Sequence, residues 1–539
     1  MKKGAILLEA KYPGRCFYCG ETIPAGERVL WNSDKSCIAH LACAHKSITT
    51  EVIPEPPGQL PLWQHQQEAY TLAYPRSGSL LAMDMGTGKS AVAIALLEAW
   101  SATKVLVLCP RSVMPVWPSQ FAKHAAGSWT VLVPEGTIAE RADLLSGLSK
   151  QIVSTAVVLN YDVVGSGLHK VPEDEKPGAR TRRLGMKHLC DALRGVEWDA
   201  VILDESHRIK APAGGQSRFV QRLAKDIPHV LALTGTPMPQ GPQDVYGQFR
   251  TIDPSLFGVS NKAFKARYCI MGGFNDYQIV GYQNTDEFNA LFGAATYRCD
   301  IDDVMTLPDS VDATIDCPLS LSAAETYKEL EDNMVTQIDE GIVTAANVLV
   351  KLIRLQQLTG GFLRTDQELS DGKLYKVDSA KEEAVRDYLQ DLGPKNVVVF
   401  CRFSSDIETV LKVCTTLGRP TVELSGRRHD IEACWQPETP SEVAAVQIQA
   451  GGLGIDLTAA HHALFFSLGY SLAEYQQARA RLRRPGQERS VVYTHLLARR
   501  GRVRTIDHKV MKAIERKENV VASVFDALQA TACQLASSA

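Results

Sequence analysis

Apolar residues come along this chain in two kinds of run. Short unbroken ones, Val105-Leu106-Val107-Leu108-Cys109, Val157-Val158-Leu159, Ala200-Val201-Ile202-Leu203 and Val230-Leu231-Ala232-Leu233, have strand length and no polar alternation. That predicts parallel strands covered on both faces. The signature returns in Val397-Val398-Val399-Phe400-Cys401 and Val443-Ala444-Ala445-Val446, separated by a helical pattern over 405–417. Helical spacing in 321–328 and 348–355 predicts helices that project from two such units. The organisation expected is a small module at 1–50, a proline-rich, stiff linker at 51–61 and a first α/β lobe at 62–256. A helical protrusion or linker region at 257–377, a second α/β lobe at 378–530 and a tail at 531–539 complete it.

The chemistry gathers at the ends of these runs. After Ser79-Leu80-Leu81-Ala82 comes Asp84-Met85-Gly86-Thr87-Gly88-Lys89-Ser90, then the Ala-rich run 91–97, which reads as strand, glycine turn and helix. Gly86 and Gly88 let backbone N–H groups converge on a phosphate, and the helix N-terminus adds positive potential. Lys89 can reach the β- and γ-phosphates of ATP, and the Ser90 hydroxyl can ligate Mg²⁺. Met83 stands where the strict phosphate-loop pattern has its first glycine. About twenty residues upstream, Gln66 is placed to bond an adenine edge.

Asp204-Glu205-Ser206-His207 closes the 200–203 strand, where a nucleotide enzyme holds Mg²⁺ and its attacking water. Asp204 would support the metal and Glu205 would polarise the water. Thr234-Gly235-Thr236-Pro237 closes the 230–233 strand and is expected beside that acidic pair. At the other end of the chain, Cys16-Phe17-Tyr18-Cys19-Gly20 is followed by Cys37, His40, Cys43 and His45. Cys16, Cys19, His40 and Cys43 offer Zn²⁺ a tetrahedral set, with Cys37 and His45 as competing ligands. So small a module needs a staple, and nucleic-acid contact and docking of a partner protein fit it equally.

At 539 residues with net charge −3, 22% charged and 45% apolar residues, the chain has ordinary globular composition, so any basic surface must be local. Thirteen cysteines, mostly scattered singly, suit a reducing compartment. Glu9 and Lys11 cut short the apolar start that a signal peptide would need. No segment approaches the ~18 apolar residues of a membrane span. An intracellular protein, cytoplasmic or nucleoid/nuclear, is expected, with no membrane partner.

Gln66, Asp84 to Ser90, Asp204 to His207 and Thr234 to Pro237 together resemble motifs Q, I, II and III of superfamily-two helicases. The Asp-Met-Gly-x-Gly-Lys form and Arg208-Ile209-Lys210 resemble the Swi/Snf-type ATPases within it. Gln449 to Thr458, with Gly454 and Asp456, resembles motif V, Asp456 standing where Asn is usual. Gln477, Arg481, Arg484, Gly486 and Gln487 resemble motif VI, with Arg483 in place of the customary His. Tyr297-Arg298-Cys299-Asp300 is similar to the family's arginine-containing segment, and Arg499 to Asp507 to the segment after motif VI.

The resemblance implies two tandem RecA-like parallel-sheet lobes with helical insertions, beside the zinc-binding module. It places Gln66, the phosphate loop, Gly454, Asp456 and Gln477 at the nucleotide, and makes Arg481 and Arg484, read as neighbours on one helical face, arginine fingers. It implies ATP-driven translocation on double-stranded DNA, in replication, recombination or repair. Trp117, Arg111, Asn160 and Lys210 are candidates for the DNA backbone, with core packing accounting for Trp117 equally well. A strand-separating DNA or RNA helicase and a non-catalytic DNA-clamping scaffold are the alternatives.

Overall fold

The computed structural model describes residues 5–10, 12–16, 21–32, 37–40, 53–111, 113–148, 153–164, 177–272, 278–339, 345–364, 374–428, 442–449 and 456–516. These form two compact units, 1–304 and 305–539.

The first unit opens with a three-stranded antiparallel sheet of β1 (Ala5–Glu9), β4 (Arg28–Asn32) and β5 (Cys37–His40), and a short hairpin of β2 (Gly14–Arg15) and β3 (Thr22–Ile23). Its core is small: Ala10, Cys16, Ile23 and Val29, with Ile38 against them. Cys16 is buried and its N–H donates to Glu21 O across the expected knuckle (2.9 Å). Cys19 and Cys43 lie outside the described residues, as does the His40 side chain at the end of β5. Residues 53–61 of the expected linker lie along the unit: Ile53 packs on its core and the Gln59 N–H donates to His124 O (3.1 Å).

Then follow α1 (Gln64–Ala73), β6 (Gly78–Met83), α2 (Lys89–Ala99), β7 (Lys104–Cys109), α3 (Val116–His124), β8 (Thr130–Leu132), β9 (Thr155–Asn160), β10 (Ala200–Asp204), β11 (His229–Leu233) and α4 (Gln243–Ile252). A hairpin of β12 (Cys269–Gly272) and β13 (Gln278–Tyr282) and the strand β14 (Thr296–Cys299) end the unit. The large sheet runs β14-β6-β11-β10-β7-β9-β8, every pairing parallel. Period-two geometry divides β7 between two cores, Val105, Val107 and Cys109 facing one and Leu106 and Leu108 the other. That is why the strand reads as an unbroken apolar run.

The second unit holds β15 (Ser310–Pro318), a helix at Leu321–Asp339, α5 (Ala345–Thr359), β16 (Phe362–Arg364), β17 (Leu374–Lys376), α6 (Ala380–Leu392), β18 (Val397–Cys401), α7 (Ser404–Leu417), β19 (Thr421–Leu424) and β20 (Val443–Gln447). It closes with β21 (His462–Phe465), α8 (Leu472–Arg479), β22 (Val491–Arg500), β23 (Val503–Arg504) and α9 (Ile506–Glu515). Its sheet runs β15-β22-β21-β18-β20-β19, all parallel, with β23 antiparallel on β22.

The separate region expected at 257–377 is instead divided. β14 is an edge strand of the first sheet and β15 of the second. β15 escaped sequence reading because, as an edge strand, it alternates exposed and half-buried residues and carries Asp312 and Asp316. No helix among the described residues is long and apolar enough to cross a membrane.

Candidate nucleotide site

Strand order builds the site in the first unit. β11 lies between β6 and β10, so three C-terminal strand ends stand side by side: the glycine turn after β6, Thr234 after β11 and Asp204-Glu205 at β10. The Thr234 N–H donates to Leu81 O (3.1 Å). Gly86 and Gly88 have φ of 87° and 89°, in the left-handed region that glycine adopts freely. A Cβ on Gly88 would meet the Gln66 amide nitrogen at 2.2 Å.

Lys89 Nζ donates to the carbonyls of Met83 (2.7 Å) and Asp84 (2.9 Å), across the mouth of the loop. Ser90 lies half-buried in the first turn of α2, with Met85 half-buried and Thr87 buried in the loop. The Thr87 hydroxyl donates to Asp84 O (2.7 Å). The Gln66 amide, expected at the adenine, donates to Thr87 O (3.0 Å) and accepts from the Trp63 N–H (3.0 Å), while a His65 ring nitrogen also meets Thr87 O (2.9 Å). These side chains brace the loop from behind. The Asp84 carboxylate accepts from the Ile301 N–H (3.1 Å), tying the chain after β14 to the loop, and burial holds it above the usual carboxylate range.

The acidic pair is buried. Asp204 Oδ1 accepts from the Glu205 N–H (3.0 Å), and burial, then the neighbouring Glu205 charge, push Asp204 up to about 7. Two carboxylates in so dry a place are costly without a cation, and a divalent ion would reverse the shift. The donor set therefore suits Mg²⁺. Glu205 has φ 51°, ψ 53°, a left-handed conformation costly to a residue with a Cβ. Its Oε2 accepts from the Thr234 hydroxyl (3.3 Å) and lies 3.3 Å from His207 Nδ1. Gln248 on α4 supports the surrounding turns, accepting from the Ser206 hydroxyl (2.7 Å) and donating to Pro237 O (2.7 Å).

In the second unit, α8 ends at Arg479, so Arg481 and Arg484 lie in the turn after it and share no helical face. That corrects the helical reading: Arg479 is consumed by packing, its guanidinium 4.0 Å from the Tyr493 ring centroid and bonded to Asp312 (2.6 Å). The turn is held by Gln487, whose amide donates to Thr458 O (3.1 Å), Ala460 O (3.0 Å) and Leu482 O (3.1 Å). Arg481 is buried and its carbonyl accepts from the Leu457 N–H (3.2 Å). Arg483 donates to Pro308 O (3.0 Å). The Asp456 carboxylate caps its own turn, accepting from the Thr458 N–H (2.9 Å) and hydroxyl (2.7 Å); Gln477 is half-buried on α8, and Gly454 lies outside the described residues.

His495 locks α8 to β22. It stacks on Phe465 (4.9 Å between centroids), with Tyr475 Oη at 3.1 Å from Nε2 and Ala313 O at 3.2 Å from Nδ1. Burial pulls it down to about 4, so it stays neutral while the unfolded chain takes up a proton near 6.5. The unfolded state then binds more protons between these values. The stabilisation is complete above pH 6.5 and falls away toward pH 4, by on the order of 3 kcal/mol. Melting curves across that window should show His495→Gln losing less stability on acidification than the parent; identical acid slopes would refute this role.

A SNF2-related domain matches residues 30–360, and a helicase conserved C-terminal domain matches 380–486. The chain belongs to the SNF2-related family. This is a family of helicase-type, ATP-dependent enzymes. A SWI/SNF-related matrix-associated actin-dependent regulator of chromatin subfamily A-like protein 1 homologue of Caenorhabditis elegans is 24% identical over 86% of this chain and 62% of its own length. The human DNA annealing helicase and endonuclease ZRANB3 is 25% identical over 92% of this chain and 43% of its own. The chain thus spans less than two thirds of either relative. The Sulfolobus solfataricus SWI2/SNF2 ATPase core solved with dsDNA is 22% identical, covering 86% of this chain and 93% of that one, with a TM-score of 0.39.

The structure decides between the two readings of Trp117. Trp117, read as a DNA contact or a core residue, is buried on α3, and its indole N–H donates to Asp204 Oδ2 (3.2 Å). Tyr161, also buried, donates to Asp204 O (2.9 Å). Asn160 is buried and Lys210 pairs with Asp244 (3.5 Å), while Arg111 is exposed. Nothing local marks Trp117 as a partner of Asp204, 87 residues away. Trp117→Phe keeps most of the packing and deletes the donor. Loss of one hydrogen bond to a charged group, ~1.5 kcal/mol, should raise the Mg²⁺ concentration for half-maximal ATPase about tenfold. An unchanged Mg²⁺ titration would make Trp117 purely a packing residue.

Proposed function

We propose that the chain is an ATP-driven DNA translocase that moves on duplex DNA, in replication, recombination or repair. The single observation that carries this is the juxtaposition of Lys89, Thr234, Asp204 and Glu205 at three adjacent strand ends. In the proposed cycle Lys89 leaves the Met83 and Asp84 carbonyls for the nucleotide phosphates, while Ser90 and Asp204 hold the metal. Bound Mg²⁺ would neutralise phosphate charge. Glu205 orients the attacking water and takes its proton, with Thr234 and His207 reading its position. Arg481 and Arg484 supply guanidinium charge to the γ-phosphate. Asp456 and Gln477 serve the nucleotide.

The named activity of ZRANB3 on DNA supports the choice of partner, and intracellular DNA is the expected setting. ATPase rates with blunt duplex, forked and single-stranded DNA, measured beside strand separation, test the reading. Stimulation by duplex without unwinding supports it; no response to duplex refutes it. The β12–β13 hairpin, which belongs to neither large sheet and exposes Ile270 (45%) and Val280 (62%), favours strand separation as the second reading. We also propose Zn²⁺ at Cys16, Cys19, His40 and Cys43, docking DNA or a partner protein; metal analysis finding no zinc would remove it.

A further inference from the structure

The strand β22 runs ten residues to Arg500, turns at Gly501 (φ 58°) and Arg502, and pairs back through β23, setting Arg504 opposite Arg499 and Val503 opposite Arg500. Four of the six residues from 499 to 504 are arginines, in a chain whose net charge is −3. Like charges placed directly across an antiparallel pair destabilise it. Two of the four are compensated: Arg499 pairs with Asp316 (2.9 Å) and Arg500 with Glu331 (3.7 Å), a carboxylate that Lys509 also uses (3.2 Å). The Arg502 and Arg504 side chains are exposed and make no hydrogen bond or ion pair with any described residue. Val503 between them is half-exposed, so the turn does not bury its apolar residue in the core.

The placement of this turn matters as much as its charge. Because β15, β22, β21, β18, β20 and β19 are parallel, their C-terminal ends share one edge of the sheet. The arginine turn continues β22 at that edge, and exposed Arg428 follows β19 at it. Phe465 at the end of β21 pairs with His495, so β22 runs five residues further and carries the arginine turn past the end of that neighbour.

We propose that the 499–504 hairpin is a clamp for the phosphodiester backbone of duplex DNA, with Arg502 and Arg504 as its contacts. The proposal rests on the translocase reading and adds a second-unit surface to it. Guanidiniums on a short, stiff hairpin lose little freedom on meeting phosphates, and carry no sequence information.

The test uses the full chain, a fluorescent duplex of mixed sequence and titrations at several NaCl concentrations without nucleotide. Arg502→Gln with Arg504→Gln should weaken binding about tenfold at moderate salt and make the log Kd versus log salt slope shallower by about 1.8, two phosphate contacts at ~0.9 each. ATPase without DNA should not change. Arg502→Lys with Arg504→Lys should restore the slope, because charge and not shape sets it. Unchanged affinity and slope in the glutamine variant would overturn the clamp and leave the translocase reading standing. Failure of the lysine variant to restore the slope would also overturn it. Failure of the parent chain to bind duplex at all would overturn the translocase reading itself, and the clamp with it.

Discussion

Glu205→Gln is expected to bring ATP turnover down by about 10²–10⁴-fold, the contribution of a positioned general base, while nucleotide affinity stays within a few-fold. The substitution is nearly isosteric. An amide oxygen can still accept from the Thr234 hydroxyl, so the link between the β10 and β11 turns survives. The left-handed backbone at 205 is set by the turn into the following 206–209 segment and by the Glu205 N–H to Asp204 bond, neither of which needs a charge. What disappears is the group that can take a proton. Removing one of two buried carboxylates also relieves repulsion on Asp204, so the variant should melt no lower than the parent. Single-turnover hydrolysis together with nucleotide binding by fluorescence checks both halves. A variant that retains a tenth of parental turnover would show that the water is activated elsewhere.

Arg481→Gln should lower turnover by about 10³-fold, within the range seen for arginine fingers, with the same near-constancy of nucleotide affinity. The turn that carries Arg481 is held by backbone and by Gln487, not by the Arg481 head group alone: its carbonyl receives the Leu457 N–H, and Gln487 bonds Thr458, Ala460 and Leu482. Glutamine should therefore leave the turn in place. Arg481→Lys should recover only part of the loss, because a point charge cannot reproduce the planar fork. Arg483→Gln is the control, since that guanidinium donates to the Pro308 carbonyl and its loss should act on stability more than on turnover. Turnover near parental levels in Arg481→Gln, with an unchanged melting temperature, would remove this residue from the chemistry.

Much of this was readable along the chain because the signals are local. Unbroken apolar runs of strand length, each ending in a chemically distinctive turn, located β6, β7, β10, β11, β18 and β20 and, with them, the glycine loop, the acidic pair and the Thr234 turn. A glycine loop between a buried strand and a helix has a narrow set of uses, and residue types alone named Lys89 and Asp204. The edge strands β14 and β15 were missed for the opposite reason. β14 is only four residues long and β15 mixes exposed, half-buried and charged positions, so neither presents an unbroken apolar run.

Which side chains work on one another was settled only by the tertiary structure. Strand order put β11 between β6 and β10, and nothing in the spacing of the three motifs required that order. Gln66 turned inward onto Thr87, Asp84 onto Ile301 and Trp117 onto Asp204, each pairing with a buried or half-buried polar group that a distant segment brings to it. Arg479, the last residue of α8, found its carboxylate partner in Asp312, 167 residues away. Sequence by itself determined the chemical inventory and the strand ends that carry it, since these follow from hydrophobic period and residue type. Partnership, burial and the Asp204 environment came from packing between distant segments, to which a local pattern is blind.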